Sequence, residues 1–174
     1  FCFGVENAIE IAYKAIFENP DKQIFILSQM IHNPEVNEDL ESRGVKFLMD
    51  TKGREMTPLS EVRADDVVII PAFGTTLEME EKLCKIGVDI GKYDTTCPFV
   101  ERVWKRSDKL IKESFTVIIH GKPTHEETRA TFSHAAKSGA ALVVEDLKEA
   151  KSLARMMVDG AEGFDQMFKG RTSD

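Results

Sequence analysis

Short apolar runs alternate with amphipathic segments along most of the chain. The first amphipathic segment begins at Val5 and carries apolar residues three and four positions apart as far as Ile16, which is the spacing of one helical face. Buried strands are predicted by the runs "QIFIL" (23–27), "VKFL" (45–48), "VVIIP" (67–71), "FTVIIH" (115–120) and "ALVVE" (141–145). Helices are predicted after the turn "IHNPEV" (31–36) and over 77–87, 98–111, 124–136 and 146–157. Strands that alternate with helices indicate an α/β fold with parallel sheets.

The two halves of the chain repeat one order of chemical groups. Cys2, a helix, a strand and His32 occur in the first half, and Cys97, a helix, a strand and His125 occur in the second. The separation from cysteine to histidine is 30 residues in the first half and 28 in the second. A shared order at similar spacing is typical of an internal repeat. We therefore predict two similar parallel-sheet α/β domains, residues 1–95 and 96–174.

Composition and charge argue against several classes of protein. With 42% hydrophobic and 30% charged residues the chain is an ordinary globular sequence, and its net charge of -7 argues against a surface that gathers nucleic-acid phosphates. No apolar run approaches the roughly 20 residues of a membrane span. The N-terminus lacks the basic segment and apolar run of a secretory signal. We therefore expect a cytoplasmic protein.

The cysteines are too few for a disulfide framework, since the chain has three. Cys2 and Cys97 each stand at the start of a predicted helix, where unpaired N–H groups and the helix dipole favour a thiolate that can bind a metal. The alternative is that each is a small buried apolar residue. Cys84 lies inside a predicted helix next to Leu83, and we predict that it packs in the core.

The histidines divide into two pairs. His32 and His125 each follow a predicted strand, and loops at the carboxyl ends of parallel strands gather ligands such as phosphates. The alternative for both is a solvated turn residue. His120 ends a predicted strand, and we expect it to be either a ligand or a core residue with its hydrogen bonds satisfied. We expect His134, on a helix face, to be exposed.

Two further features are compatible with an active site. Glu127 would carry protons if burial raised its pKa, or it is a first-turn glutamate favoured by the helix dipole. The loop "AFGTT" (72–76) follows a strand and would bring backbone N–H groups near an anion.

Five segments together carry a resemblance to a known family: "FCFGVENAIEIA", "IHNPEV", "VVIIPAFGTT", "YDTTCPFVERV" and "GKPTHEET". In this order they resemble the (E)-4-hydroxy-3-methylbut-2-enyl diphosphate reductase family, also called LytB or IspH, from Phe1 to about Ala135. The resemblance implies three similar α/β domains in pseudo-symmetry around a [4Fe-4S] cluster, each giving one cysteine. Cys2 and Cys97 would be two cluster ligands, and the third domain with its cysteine lies outside this chain.

The resemblance also implies roles for polar residues. His32 and His125 contact the substrate diphosphate, Asn33 has a supporting role, and Glu127 helps to deliver protons. The family has a histidine at the position of Phe73, so that contact is absent or falls to Thr75, the following threonine or the backbone.

The implied reaction is the reductive dehydroxylation of an allylic diphosphate to isopentenyl and dimethylallyl diphosphate, the last step of the methylerythritol phosphate route. Ferredoxin or flavodoxin is the expected electron donor. The expected location is the cytoplasm of a bacterium. As a fragment, the chain is expected to be inactive alone.

Two alternatives remain open at this point. One is a non-catalytic metal- or anion-binding module in which Cys2, Cys97 and nearby histidines hold zinc. The other is a plain α/β domain with two incidental thiols.

Overall fold

The computed structural model describes residues 2–160 and 162–173. The chain forms two compact units, the first ending at Glu101 and the second beginning at Arg102. Among the described residues, none of the helices combines the length and apolar character that a membrane span requires.

The first unit is a three-stranded parallel sheet with helices on both faces. Its elements, in chain order, are α1 (Phe3–Glu18), β1 (Ile24–Ile26), α2 (Pro34–Ser42), β2 (Lys46–Phe47), a 3₁₀ turn (Leu59–Glu61), β3 (Val67–Ile69) and α3 (Leu77–Ile86). The first turn of α4 (Pro98–Lys112) also belongs to this unit, which ends at Glu101. The strand order is β2-β1-β3, and Phe25 pairs with Lys46 on one side and Val68 on the other. The predicted α/β fold with parallel sheets is confirmed.

Successive residues of the central strand enter two different cores, as the alternation of side chains along a strand requires. Ile24 and Ile26 pack on one face, together with α1. Phe25 packs on the other face with Leu83 of α3. On α1 the fully buried side chains are three alanines, Ala8, Ala12 and Ala15, while the larger apolar residues of the predicted face are only partly buried. Small residues on the innermost line bring this helix close to the sheet.

The second unit is built on two parallel strands. Its elements after α4 are β4 (Val117–His120), α5 (Glu126–Ser138), β5 (Ala141–Val144), α6 (Leu147–Asp159) and α7 (Phe164–Met167). β4 pairs with β5 from Val117 opposite Ala141 to His120 opposite Val144. Four-residue α7 has no recognisable pattern in the sequence.

Residues 171–173 pair with β5 on the side of that strand that does not face β4. Val143 N donates to Arg171 O, Ser173 N donates to Ala141 O, and Thr172 bridges Leu142 in antiparallel sense. The sequence "GRTSD" has no apolar period, so this pairing has no signal in the sequence.

Two predictions about packing were wrong. Cys84 is exposed, because the neighbouring Leu83 occupies the buried line of α3 and one residue along a helix turns the side chain by about 100°. On α4 the spacing predicts one helical face that includes Phe99, Val103, Ser107 and Ile111. Ser107 and Ile111 are buried, whereas Phe99 and Val103 are more than half exposed.

Candidate functional site

The carboxyl edge of the sheet in the first unit gathers three chain segments. Residues 30–33 follow β1, residues 71–75 follow β3, and residues 93–97 run beside the end of β3. Ala72 N donates to Met30 O over 3.4 Å, and Cys97 N donates to Ala72 O over 2.9 Å. This is the edge at which open α/β sheets bind ligands. His32, Asn33, Thr75 and Cys97 therefore belong to one edge.

The two cysteines have the same position relative to their helices. Cys2 is the N-cap of α1, and its carbonyl oxygen accepts from the N–H groups three and four residues later, at 3.0 and 3.1 Å. The carbonyl of Cys97 does the same at the start of α4, at 2.8 and 3.1 Å. The order of cysteine, helix, strand and histidine thus occurs twice, with matching contacts at each helix start.

The sulfur of Cys97 lies against the first turn of α1. A Cβ atom added to Gly4 would stand 2.6 Å from Cys97 Sγ, closer than non-bonded atoms approach. Gly4 is two residues from Cys2, so the sulfur of Cys97 lies in the helix turn that Cys2 begins. The close approach requires glycine at this position. This role of Gly4 was not predicted from the sequence, although a glycine inside an otherwise regular helix is a recognised sign of close packing.

His32 is exposed and stacks on Phe73. The two ring centroids are 4.5 Å apart and the ring planes meet at 26°. Phe73 stands at the position where the resembling family has histidine, and here it supports a histidine instead of adding a second one. Thr75 is buried beside it.

Asn33 caps α2. Its Oδ1 accepts from Glu35 N at 3.0 Å and from Val36 N at 3.4 Å, and Pro34 follows at the first helical position, where a missing N–H costs nothing. The carboxamide oxygen is therefore engaged in the cap. Any contact of this side chain with an anion falls to its Nδ2 group.

His125 caps α5 in the second unit. Its Nδ1 accepts from Glu127 N at 3.3 Å. An imidazole that accepts through Nδ1 carries its proton on Nε2, so the other side of the ring presents a donor. Glu127 itself is exposed in the first turn of α5.

A second close approach involving a glycine holds the loop that carries His125. A Cβ atom on Gly121 would lie 2.5 Å from the hydroxyl oxygen of Thr128 on α5. Gly121 N also donates to Val144 O at 3.0 Å. The segment between β4 and α5 is therefore fixed at its first residue.

The remaining two histidines differ in environment. His120 is exposed at the end of β4, so of the two roles expected for it the core group is wrong. His134 was expected to be exposed, and this was also wrong. It is half-buried and stacks on Trp104 with ring centroids 3.7 Å apart, while Trp104 Nε1 donates to the hydroxyl of Thr131 at 3.2 Å. A tryptophan on the neighbouring helix covers this face of α5.

Within residues 2–160 and 162–173, no three His, Cys, Asp or Glu side chains are gathered into a group able to hold a metal ion. The first unit offers Cys2 and Cys97, which are two thiolate donors. An iron–sulfur cluster is held by Cys thiolates, four of them in the common clusters, so two cysteines fit it as a partial set.

Comparisons with known proteins agree on one family. The sequence profile of the LytB protein matches residues 1–165. The 4-hydroxy-3-methylbut-2-enyl diphosphate reductase of Cyanothece sp. is 41% identical over 176 residues, which cover 98% of this chain and 41% of that protein.

Two solved structures are similar in fold. One is (E)-4-hydroxy-3-methyl-but-2-enyl diphosphate reductase, the terminal enzyme of the non-mevalonate pathway, with a TM-score of 0.71 and 29% identity over 87% of this chain and 50% of its own. The other is the E-1-hydroxy-2-methyl-but-2-enyl-4-diphosphate reductase from Plasmodium falciparum, with a TM-score of 0.73 and 25% identity over 87% of this chain and 43% of its own. The chain spans half or less of the length of these relatives. With a profile match over nearly its whole length, the chain belongs to the LytB protein family.

Proposed function

We propose that the chain is part of a longer 4-hydroxy-3-methylbut-2-enyl diphosphate reductase that makes isopentenyl and dimethylallyl diphosphate in the methylerythritol phosphate route. The observation that carries the proposal is the sulfur of Cys97 against the helix turn that Cys2 begins, on the sheet edge that also bears His32. In a chain of the LytB family, a thiol that lies in the helix turn begun by a second cysteine favours a shared metal centre over incidental packing. Residues 1–95 and 96–174 would be two of its repeated domains.

Cys2 and Cys97 would be two ligands of a [4Fe-4S] cluster, with the third cysteine supplied from outside this chain. When bound, the cluster supplies electrons from a ferredoxin or flavodoxin and a Lewis-acidic iron. The N–H groups in the first turn of α1 lie beside the sulfur of Cys97 and would be available as donors to thiolate ligands at this place. Cytoplasmic location in a bacterium is part of the proposal.

His32 and His125 would donate to the diphosphate of the substrate. His125 is suited to this because its Nδ1 accepts from the helix and its Nε2 therefore donates. The ring of His32 is held by Phe73. Asn33 through Nδ2, and Thr75 through its hydroxyl or backbone, would add neutral donors.

Glu127 would deliver protons. Removal of a hydroxyl group as water and reduction of the carbon skeleton together consume two electrons and two protons, so a proton carrier is required at the substrate. Glu127 adjoins the capping His125, whose imidazole accepts its N–H, and the two would act on the same substrate.

The proposal is tested by removing one thiol. Cys97→Ser in the complete reductase, assembled anaerobically, should abolish the visible absorbance of the cluster, its iron and sulfide content, and turnover. Cys84→Ser is the matched control, because Cys84 is an exposed thiol on α3 and should leave all three unchanged.

Retained iron and activity in Cys97→Ser would rule the assignment out. Zinc without iron or sulfide in the unsubstituted protein would instead favour the metal-binding module. Loss of colour in both variants would show that the protein tolerates no thiol substitution, which contradicts a specific role for Cys97.

A further inference from the structure

Asn37 is a buried residue in the first turns of α2, and its side chain points back to the loop before the helix. The residue is 7% exposed. Its Oδ1 accepts from Met30 N at 3.0 Å, and its Nδ2 donates to Ile31 O and Asn33 O, both at 2.9 Å. The three partners lie on both sides of His32.

These contacts explain why asparagine stands inside a helix. Asparagine is a poor helix former because its amide competes for backbone groups. Here that competition is used: Asn37 Oδ1 is the partner of Met30 N, a buried group that would be costly without one. Ile31 O also accepts from Asn33 N at 2.8 Å and Asn33 O also accepts from Asn37 N at 3.3 Å, so Asn37 Nδ2 gives each of these carbonyls a second hydrogen bond.

We infer that Asn37 is a positioning residue that fixes His32 for the substrate diphosphate, an inference that rests on the proposed function. Asn37 holds the backbone on both sides of His32, and Phe73 holds the ring. Phosphate recognition by a hydrogen-bond donor depends on a fixed direction, so the supporting amide controls affinity without touching the substrate.

The chain offers a matched control in Asn19. This residue is 8% exposed, and its Nδ2 donates to Ala15 O and to the hydroxyl of Tyr93, both at 2.8 Å. It follows the last turn of α1, at the end of that helix opposite Cys2. Asn37→Ala and Asn19→Ala remove the same group from equally buried places, and only one of them supports the loop of His32.

The experiment compares both variants in the complete reductase by hydrogen exchange and by steady-state kinetics. In Asn37→Ala, exchange should rise at residues 30–33, and KM for the allylic diphosphate should increase about tenfold, as the loss of a hydrogen-bonded orientation implies. The rate at saturation should fall far less than KM rises. Alanine is the best helix former, so α2 itself is not weakened.

Asn19→Ala should lose stability and keep both the exchange at residues 30–33 and the KM of the unsubstituted enzyme. If Asn37→Ala behaves in the same way as Asn19→Ala, Asn37 is only a structural residue and the inference is overturned. If Asn37→Ala does not fold, Asn37→Asp takes its place, because it keeps the acceptor for Met30 N and loses both donors; the same split is then expected.

His32→Ala separates this inference from the proposed function. An unchanged KM in His32→Ala would refute the diphosphate role of His32. Hydrogen exchange at residues 30–33 would then test only whether Asn37 fixes the loop that carries His32. Unchanged exchange in Asn37→Ala would show that it does not, and the inference would be overturned.

Discussion

Gly4 leaves just enough room for the sulfur of Cys97. Glycine inside a helix normally costs roughly 1 kcal/mol relative to alanine, so Gly4→Ala would stabilise an isolated α1. In the folded chain the new Cβ would meet Cys97 Sγ at 2.6 Å, and the backbone of Cys97 is tied to Ala72. The sulfur must therefore turn away from the helix mouth.

We expect Gly4→Ala to lower the iron content of the assembled reductase several-fold, and to change the rate at which iodoacetamide alkylates Cys97 in the metal-free protein. Gly91→Ala is the control, because its Cβ would meet its nearest neighbour at an ordinary 3.6 Å. Equal iron content in the two variants would show that the contact has no bearing on the thiol.

At the scale of single residues, the sequence indicated chemistry better than environment. Cys2, Cys97, His32 and His125 stood out because each adjoins a predicted helix or strand end. The exposure of Cys84 was not visible in the same way, since it depends on which side of α3 faces the sheet. The support given by Asn37 depends on a loop conformation that no local pattern encodes.

At the scale of elements, His125 combines two roles that substitution can separate. As the N-cap of α5 it accepts from Glu127 N, and asparagine can do the same, whereas alanine cannot. His125→Ala should lower the free energy of unfolding by about 1 kcal/mol, and His125→Asn should not. Urea unfolding followed through the fluorescence of Trp104, the only tryptophan, measures this.

Both variants lack the imidazole Nε2, so both should raise KM for the allylic diphosphate in the complete reductase. Stability and affinity would then respond differently to the same pair of substitutions. A normal KM in His125→Asn would mean that the cap is the whole contribution of this residue.

The predicted helices and strands are confirmed in kind and order, because each apolar run is short and is bounded by polar turn residues. The exceptions have physical causes. α7 is four residues long, too short for a helical period. Phe115 was counted in the fourth strand, but that strand starts at Val117 and leaves Phe115 exposed.

At the scale of the whole molecule, one ion pair connects the carboxyl-terminal segment to α6. Arg171 donates to both carboxylate oxygens of Glu149, at 2.8 and 3.0 Å, and Glu145 N donates to the same carboxylate at 2.8 Å. The Arg171 guanidinium, followed by this backbone N–H, lowers the pKa of Glu149 below its ordinary value.

A carboxylate whose pKa is lower in the folded than in the unfolded chain stabilises the fold above the unfolded value, and the stabilisation is lost as pH falls through the folded value. Glu149→Gln should therefore lower the free energy of unfolding by about 1–2 kcal/mol at neutral pH. The difference should shrink as pH falls below the ordinary glutamate pKa, and it should vanish once pH lies below the lowered pKa of the folded state, where the glutamate is protonated in both states. Urea unfolding at pH 7 and at pH 3 checks this.

Glu113→Gln is the control for that comparison. Glu113 pairs with Lys109 at 3.9 Å in the same unit, and both side chains are more than half exposed. Exposed pairs contribute about 0–1 kcal/mol, so this variant should unfold almost as the unsubstituted chain does at both pH values. A difference between Glu149→Gln and the unsubstituted chain that is as large at pH 3 as at pH 7 would contradict an ionic origin.

The strand order β2-β1-β3 and the length of chain between paired strands could not be predicted from local patterns, since order depends on contacts between distant segments. The pairing of residues 171–173 with β5 could not be predicted for the same reason. Nothing in "GRTSD" predicts a strand, and its pairing with β5 is set by backbone groups, not by apolar side chains.

Residues 171–173 cover the outer side of β5 between Ala141 and Val143. An uncovered strand of this kind presents a row of amides to any neighbouring molecule and invites intermolecular pairing. Loss of the pairing made by residues 171–173 would therefore expose the backbone amides along that side of β5, and the protein would then be prone to self-association and precipitation.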